Sequence, residues 1–465
     1  MLRQFALIEL EKQLKVELEL LGYPVTPWMP AAEILDVAII GGGMAGLCAS
    51  FGLYRQGIFN HQVFDASTAG SEGPWNTYAR MLTLRSGKDL AGPALGLPKL
   101  TFQAWYKALY GPRDWQDLYK IPTNLWMEYL NWYRRILCLP VKNNSEVIAI
   151  EPQSGRITLK FKEGDVRFTK KLVLATGRGG FGGNCIPSVF RGLPKEFYAH
   201  TSENIDFSAL KGKRILIAGI GSSAFDAAAA SLENEASSVV MLTRRKRLPC
   251  VNKFARTVYP GFSQGYPLLS DKDKIAIMED VSKTGSPPPF ESLDRVKEYS
   301  NFEVLTGFEI GSVKVEDDLI YIGNEERTIE GDYLILATGF AIDGSNEPIL
   351  KGIFDHLLLW HDMHSTLAPI VGAYPYLGSH YQFLEKKPGS AAFLKDIYCF
   401  NYAAKLSHGL TSSDIPDISV GAERLTKGIA ADFFTHDSGF YVDKVLKDDI
   451  RDFDAEDYGF IKPFA

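Results

Sequence analysis

The chain has 465 residues, 46% hydrophobic and 23% charged, too long for one compact core and too apolar for a disordered, collagen-like or coiled-coil chain. Lys plus Arg number 50 against 56 Asp plus Glu, a net charge of −6, so no overall basic field favours a polyanion and nucleic acid is not an expected partner. Five scattered cysteines, Cys48, Cys138, Cys185, Cys250 and Cys399, show no C-x-x-C or zinc-like spacing; neither a disulfide framework nor a dithiol redox pair is expected, and a reducing cytoplasm fits best.

Residues 4–22 place apolar side chains at helical spacing between charges, and Gly22, Pro24, Pro27 and Pro30 stop the pattern, which predicts an N-terminal helical arm. Its charges, among them Glu9, Lys12 and Glu17, interrupt any signal-peptide core. The uncharged run 37–54 has near membrane-spanning length, but its five glycines favour a buried strand, turn and helix, so no membrane span is expected. A βαβ unit follows: strand 37–40, a glycine turn, a helix to about Gly57 and a strand over 62–65. Residues 74–135 hold five of the seven tryptophans, Trp75, Trp105, Trp115, Trp126 and Trp132, on expected helices. An aromatic lid and a packed core are both open readings there. Strands are expected at 146–151, 156–161 and 171–175, ending in Ala175-Thr176-Gly177. A second βαβ unit runs from strand 214–218 through an alanine-rich helix to strand 238–243. After the loop 285–290, strands near 303–306, 311–315 and 319–322 precede an apolar run, 333–337, that ends in Thr338-Gly339.

The first glycine turn is Gly41-Gly42-Gly43-Met44-Ala45-Gly46, a G-x-G-x-x-G directly after a strand. Gly41 permits the tight turn, Gly43 lets backbone approach a pyrophosphate at a helix N-terminus, and Gly46 allows close helix–strand packing. Asp65, nineteen residues beyond Gly46, stands where a carboxylate accepts from a ribose diol. The second turn is Gly219-Ile220-Gly221-Ser222-Ser223-Ala224, with alanine in the third glycine's place. Its following strand ends in Thr243-Arg244-Arg245-Lys246-Arg247, where an arginine fork suits a 2′-phosphate and selects NADPH.

These residues resemble the flavin-containing monooxygenases and their relatives, the class B flavoprotein monooxygenases, over most of the chain after the arm. The resemblance assigns GGGMAG to FAD, GIGSSA to NADPH, and Thr176, Gly177, Thr338 and Gly339 of the two ATG endings to cofactor contact. The family's F-x-G-x-x-x-H fingerprint is matched in part by Phe197-Tyr198-Ala199-His200 followed by Asp206-Phe207, with shortened spacing and no glycine. No tryptophan follows the histidine closely, which counts against the Baeyer–Villiger variant. Gly73-Pro74-Trp75 is similar to that family's G-x-W, and Arg85 stands roughly where the flavin-containing branch has an asparagine near the flavin. The implied fold is α/β, with two Rossmann-like dinucleotide-binding domains, the NADPH domain inserted into the FAD domain: arm 1–33, FAD domain 34–207, NADPH domain 208–324, and FAD domain with substrate pocket 325–465.

The implied function is an FAD- and NADPH-dependent monooxygenase that passes one oxygen atom from O2, through a flavin C4a-hydroperoxide, to a nucleophilic nitrogen or sulfur of a small molecule. Arg85 is the expected catalytic cation, with anchoring of FAD phosphate or a core carboxylate as its other reading. Asn401 is expected to cap a short helix over 402–407 and turn its N-terminus toward the flavin pyrimidine edge. His361-x-x-His364 beside Asp362 lacks a third ligand, so no metal is expected. Two alternatives stay open: an NADPH-dependent flavoprotein reductase and a non-catalytic redox or nucleotide sensor. A homo-oligomer and the identity of the substrate are likewise open.

Overall fold

The computed structural model describes residues 2–153, 155–453, 457, 458 and 460; the extreme ends of the expected arm and C-terminal part lie outside them. The arm forms as a helix, Leu2–Leu20, and it is part of the core rather than an appendage. Leu10 and Leu14 are buried, and Glu11 accepts from the Trp132 indole at 3.0 Å while pairing with Arg135.

The first sheet contains β1 (Leu35–Ile40), β2 (His61–Phe64), β3 (Val141–Lys142), β4 (Val147–Gln153), β5 (Arg156–Phe161) and β6 (Val166–Leu174). They lie in the order β3-β2-β1-β6-β5-β4. β1 runs parallel to β2 and β6, while β4, β5 and β6 form an antiparallel meander. Val37, Ala38 and Ile39 are fully buried, as expected of a central parallel strand covered on both faces.

The chain then builds β7 (Tyr198–His200), β8 (Arg214–Ala218), β9 (Ser238–Thr243), β10 (Phe302–Thr306), β11 (Ser312–Glu316), β12 (Leu319–Gly323), β13 (Thr328–Gly331) and β14 (Tyr333–Leu336). A second, parallel sheet has the order β10-β9-β8-β14-β7, and β11-β12-β13 form a small antiparallel sheet. The chain returns through β15 (Ile397–Cys399), which pairs in parallel with Leu172–Leu174 of β6. The second unit is thus inserted into the first. Its sheet includes β7 and β14, both outside the expected limits 208–324. The reason is physical: β7 has three residues, too few for an apolar run, and takes its place only by pairing with β14.

The tryptophan-rich segment resolves in favour of core. Helices Phe102–Tyr110 and Thr123–Ile136 are amphipathic, and Trp105, Trp115, Trp126 and Trp132 are all buried. Trp126 packs against Tyr129 at 5.1 Å and Phe102 at 5.7 Å between ring centroids, within the range where aromatic pairs attract. No helix among the described residues is long and apolar enough to cross a membrane.

Candidate functional site

The two glycine turns are built alike. Gly41 has φ +105, and a Cβ there would lie 2.4 Å from the Ala175 carbonyl oxygen; one on Gly46 would lie 1.8 Å from the Gly41 oxygen. Both positions are closed by packing. Gly43 differs, being extended (φ −70) with nothing nearer its Cβ position than Gly73 Cα at 3.7 Å. It is the N-cap of helix Met44–Arg55 and supplies no side chain, so the first-turn N–H groups of Met44, Ala45 and Gly46 lack intrahelical acceptors. A bare floor beside these donors fits a pyrophosphate. Asp65, at the end of β2, braces the turn: its Oδ2 accepts from Gly42 N–H at 2.6 Å and its Oδ1 from Ser67 N–H at 2.7 Å, which leaves each oxygen a lone pair for a ribose. Trp75, beside Gly73, meets Trp126 edge-on at 6.2 Å.

After β6 the chain turns through Thr176 and Gly177 (φ +70), and a Cβ on Gly177 would meet nothing within 4 Å. Asn401, 1% exposed, joins this turn to the helix beyond β15. Its Oδ1 accepts from Ala403 N–H at 2.9 Å, and its Nδ2 donates to Thr176 Oγ1 at 3.0 Å. Tyr402 N–H donates to Gly177 O at 3.3 Å. Asn401→Ala removes the cap and the cross-link together and is expected to lower stability by about 1–2 kcal/mol, read from urea unfolding.

In the second unit, a Cβ on Gly219 (φ +134) would lie 2.4 Å from Ala337 O, whereas Gly221 faces open space. Gly221 caps helix Ser222–Glu233 without a side chain. Ser223 is exposed and Ala224 fully buried, so alanine fits where the third glycine is expected. The Thr338 hydroxyl donates to Cys185 O, and Gly339 turns with φ +81.

Two expected cofactor residues are placed otherwise. His200 is 0% exposed; its Nδ1 pairs with Ser202 Oγ at 2.8 Å, and its ring packs edge-on against Phe340 at 5.9 Å. It braces the Thr338-Gly339 turn and has no surface to offer a cofactor. Burial holds its pKa below the ordinary value. Arg245 donates to Lys283 O at 2.9 Å and to Ser282 O and Thr284 O at 3.4 Å, closing the C-terminal end of helix Asp271–Thr284. Arg244 remains exposed beside the fingerprint.

Between the two units a cleft of about 220 Å³ is lined by Arg85, Asp226, Ser292 and Arg295, among others. Asp226, whose side chain is 4% exposed, accepts from Arg85 Nη2 at 3.3 Å and from Ser292 Oγ at 2.6 Å and lies 3.7 Å from Arg295 Nη1. Arg295 also donates to Arg80 O at 2.9 Å. Arg80 in turn donates to Thr201 O at 2.5 Å and Glu203 O at 2.6 Å.

A family model for pyridine nucleotide-disulphide oxidoreductases matches residues 38–284. The FAD-dependent urate hydroxylase of Xanthomonas campestris pv. campestris is 34% identical over 460 residues, 96% of this chain and 97% of that one. The chain belongs to the pyridine nucleotide-disulphide oxidoreductase family. Its fold is shared with ornithine hydroxylase from Pseudomonas aeruginosa (TM-score 0.68, 18% identity) and L-lysine 6-monooxygenase from Pseudomonas syringae (TM-score 0.66, 18% identity). Each match covers 86% of this chain and 99% of the other.

The chain carries features that are not evident from its motifs. Asp226 is a carboxylate in the buried alanine-rich stretch SSAFDAAAA, a pattern that flags a paired interior charge. Asp226→Asn takes the negative charge from between Arg85 Nη2, Ser292 Oγ and Arg295 Nη1, while Arg295 keeps its two bonds to Glu233 at 2.8 Å. Stability is expected to fall by about 1–2 kcal/mol in urea unfolding, since the Ser292 hydroxyl loses a charged acceptor in a buried place. Arg85, 41% exposed in its side chain, contributes little to that loss.

Proposed function

We propose that the enzyme uses NADPH and O2 to hydroxylate a small, electron-rich, nitrogen-bearing heterocycle of the urate type. The observation that carries this reading is the pair of bare glycine turns, one on each sheet, with a cleft between the units that holds Arg85, Asp226 and Arg295, and no cysteine pair to receive electrons. The 34% identical urate hydroxylase supports the substrate class.

In this reading FAD lies over Gly41, Gly43 and the first-turn N–H groups of Met44, Ala45 and Gly46. Asp65 takes its ribose, and Trp75, Thr176, Gly177 and Asn401 frame the remainder. NADPH lies over Gly219, Gly221 and the first-turn groups of Ser222, Ser223 and Ala224, with Arg244 at the 2′-phosphate and Thr338 and Gly339 at the domain turn. Bound FAD supplies the oxygen-activating chemistry; the protein positions the reactants and excludes water. Arg85, already matched to Asp226, holds the units together and sets the charge of the cleft. The reading makes the enzyme a cytoplasmic one with a diffusible substrate and no nucleic-acid partner, consistent with five free cysteines and a net charge of −6.

The test is NADPH consumption by purified holoenzyme with urate, ornithine, lysine, thioethers and ketones, using isotopically labelled O2. Hydroxylation of urate with one labelled oxygen in the product is expected. NADPH oxidation that yields only hydrogen peroxide with every compound favours the reductase reading.

A further inference from the structure

Lys405 is an ammonium group without a counter-charge. The residue is 8% exposed, yet among the described residues no carboxylate lies within ion-pair distance of its Nζ. Its surroundings are aromatic: Nζ stands 4.5 Å from the Phe254 ring centroid and 5.4 Å from that of Tyr402. Cation–π attraction offsets only part of the cost of burying an ammonium group.

The neighbouring charges do not close the balance. Arg178 also lies over the Tyr402 ring, 5.2 Å from its centroid, and pairs with Asp414 at 3.4 Å. Arg85 is matched by Asp226. Arg178 and Asp414 cancel, so the group keeps one positive charge, and it sits on Lys405. Although burial pushes the Tyr402 phenol up, the charges of Lys405 and Arg178 bring it below the ordinary value.

The placement of this charge is informative. Tyr402 and Lys405 lie just beyond the Asn401 cap, and Arg178 directly follows Gly177, beside which there is open space. Phe254 comes from the inserted unit, on the segment after β9. The uncompensated charge therefore lies where both units meet the turn assigned to the flavin.

We propose that Lys405, flanked by Arg178 and Tyr402, is the anion-recognition element of the substrate pocket and that the substrate is bound as a planar organic monoanion. This rests on the proposed function for the identity of the substrate, but the anion site itself does not. A bound anion supplies the missing partner of Lys405. Phe254 and Tyr402 provide apolar ring faces for a flat ligand, and a neutral ring of the same shape lacks the charge-assisted bonds.

The test uses FAD-loaded wild type, Lys405→Met and Lys405→Arg. The probes are urate and benzoate as anions, with hypoxanthine and benzamide as their neutral counterparts. Affinity is read from perturbation of the flavin spectrum and from thermal shift, without NADPH. Lys405→Met is expected to weaken urate and benzoate binding about 10- to 100-fold, while hypoxanthine and benzamide change less than about twofold. Lys405→Arg should recover part of the difference. Met removes a buried charge at similar volume, so the variant should fold and retain FAD. Equal loss for anions and neutrals, or none for either, overturns the proposal, as does a variant that loses FAD while anion affinity per loaded site is unchanged. Anion-selective binding without hydroxylation of urate leaves the anion site standing and overturns the substrate assignment.

Discussion

Gly43→Val is expected to give a folded, colourless protein, and Gly46→Ala a protein that fails to fold around its first turn. The two glycines are three residues apart, but a Cβ has different consequences at each. At Gly43 the nearest atoms stand 3.7 Å away and the backbone is extended with φ −70, so an L side chain fits the free protein. It fills the floor on which the pyrophosphate rests, and FAD affinity should fall at least about 100-fold, ~3 kcal/mol. At Gly46 the added carbon lies 1.8 Å from the Gly41 carbonyl oxygen. The helix cannot stay on the strand, and the cost is about 3 kcal/mol or more. The checks are visible absorbance for FAD content and urea unfolding of FAD-stripped protein, since bound cofactor would itself raise the apparent stability of the wild type. Stripped Gly43→Val should match stripped wild type within about 1 kcal/mol. Stoichiometric FAD in Gly43→Val would move the pyrophosphate elsewhere.

The same contrast explains what was legible in the sequence. Glycine turns are local: Gly41 and Gly219 need positive φ, and strand, turn and helix follow one another along the chain. Asn401 was legible for the same reason, because a cap is set within three residues. Asp226 carried a readable signal, a charge inside an apolar helix, although its partners Arg85 and Arg295 lie far away in sequence. His200 looked like a motif histidine and is a buried brace, because the strand that covers it, β14, lies more than a hundred residues downstream. Lys405 carried no signal at all. One lysine in a short helix is ordinary, and only the fold shows that no carboxylate among the described residues reaches it.

The basic run after β9 marks the boundary between the two kinds of information. Arg244 and Arg245 are adjacent and chemically identical, and the sequence cannot say which one meets a phosphate. The fold separates them, because the end of helix Asp271–Thr284 arrives beside Arg245 and occupies its guanidinium with three carbonyl oxygens. Arg244→Ala is therefore expected to raise the Michaelis constant for NADPH about 10-fold or more and to leave that for NADH nearly unchanged, since NADH has no 2′-phosphate to hold. A charge-assisted bond is worth about 1.5–3 kcal/mol, and the exposure of Arg244 puts the effect at the lower end. Raising the ionic strength should shrink it further, because a solvent-open phosphate site is screened. Arg245→Ala should do the opposite. It should keep the NADPH-to-NADH preference and lower stability by about 0.3–1 kcal/mol, because it strips a cation from a helix C-terminus. Steady-state kinetics with both nucleotides, beside urea unfolding of each variant, separates the two roles. A preference lost in Arg245→Ala and kept in Arg244→Ala would mean that the helix end releases Arg245 when the nucleotide binds.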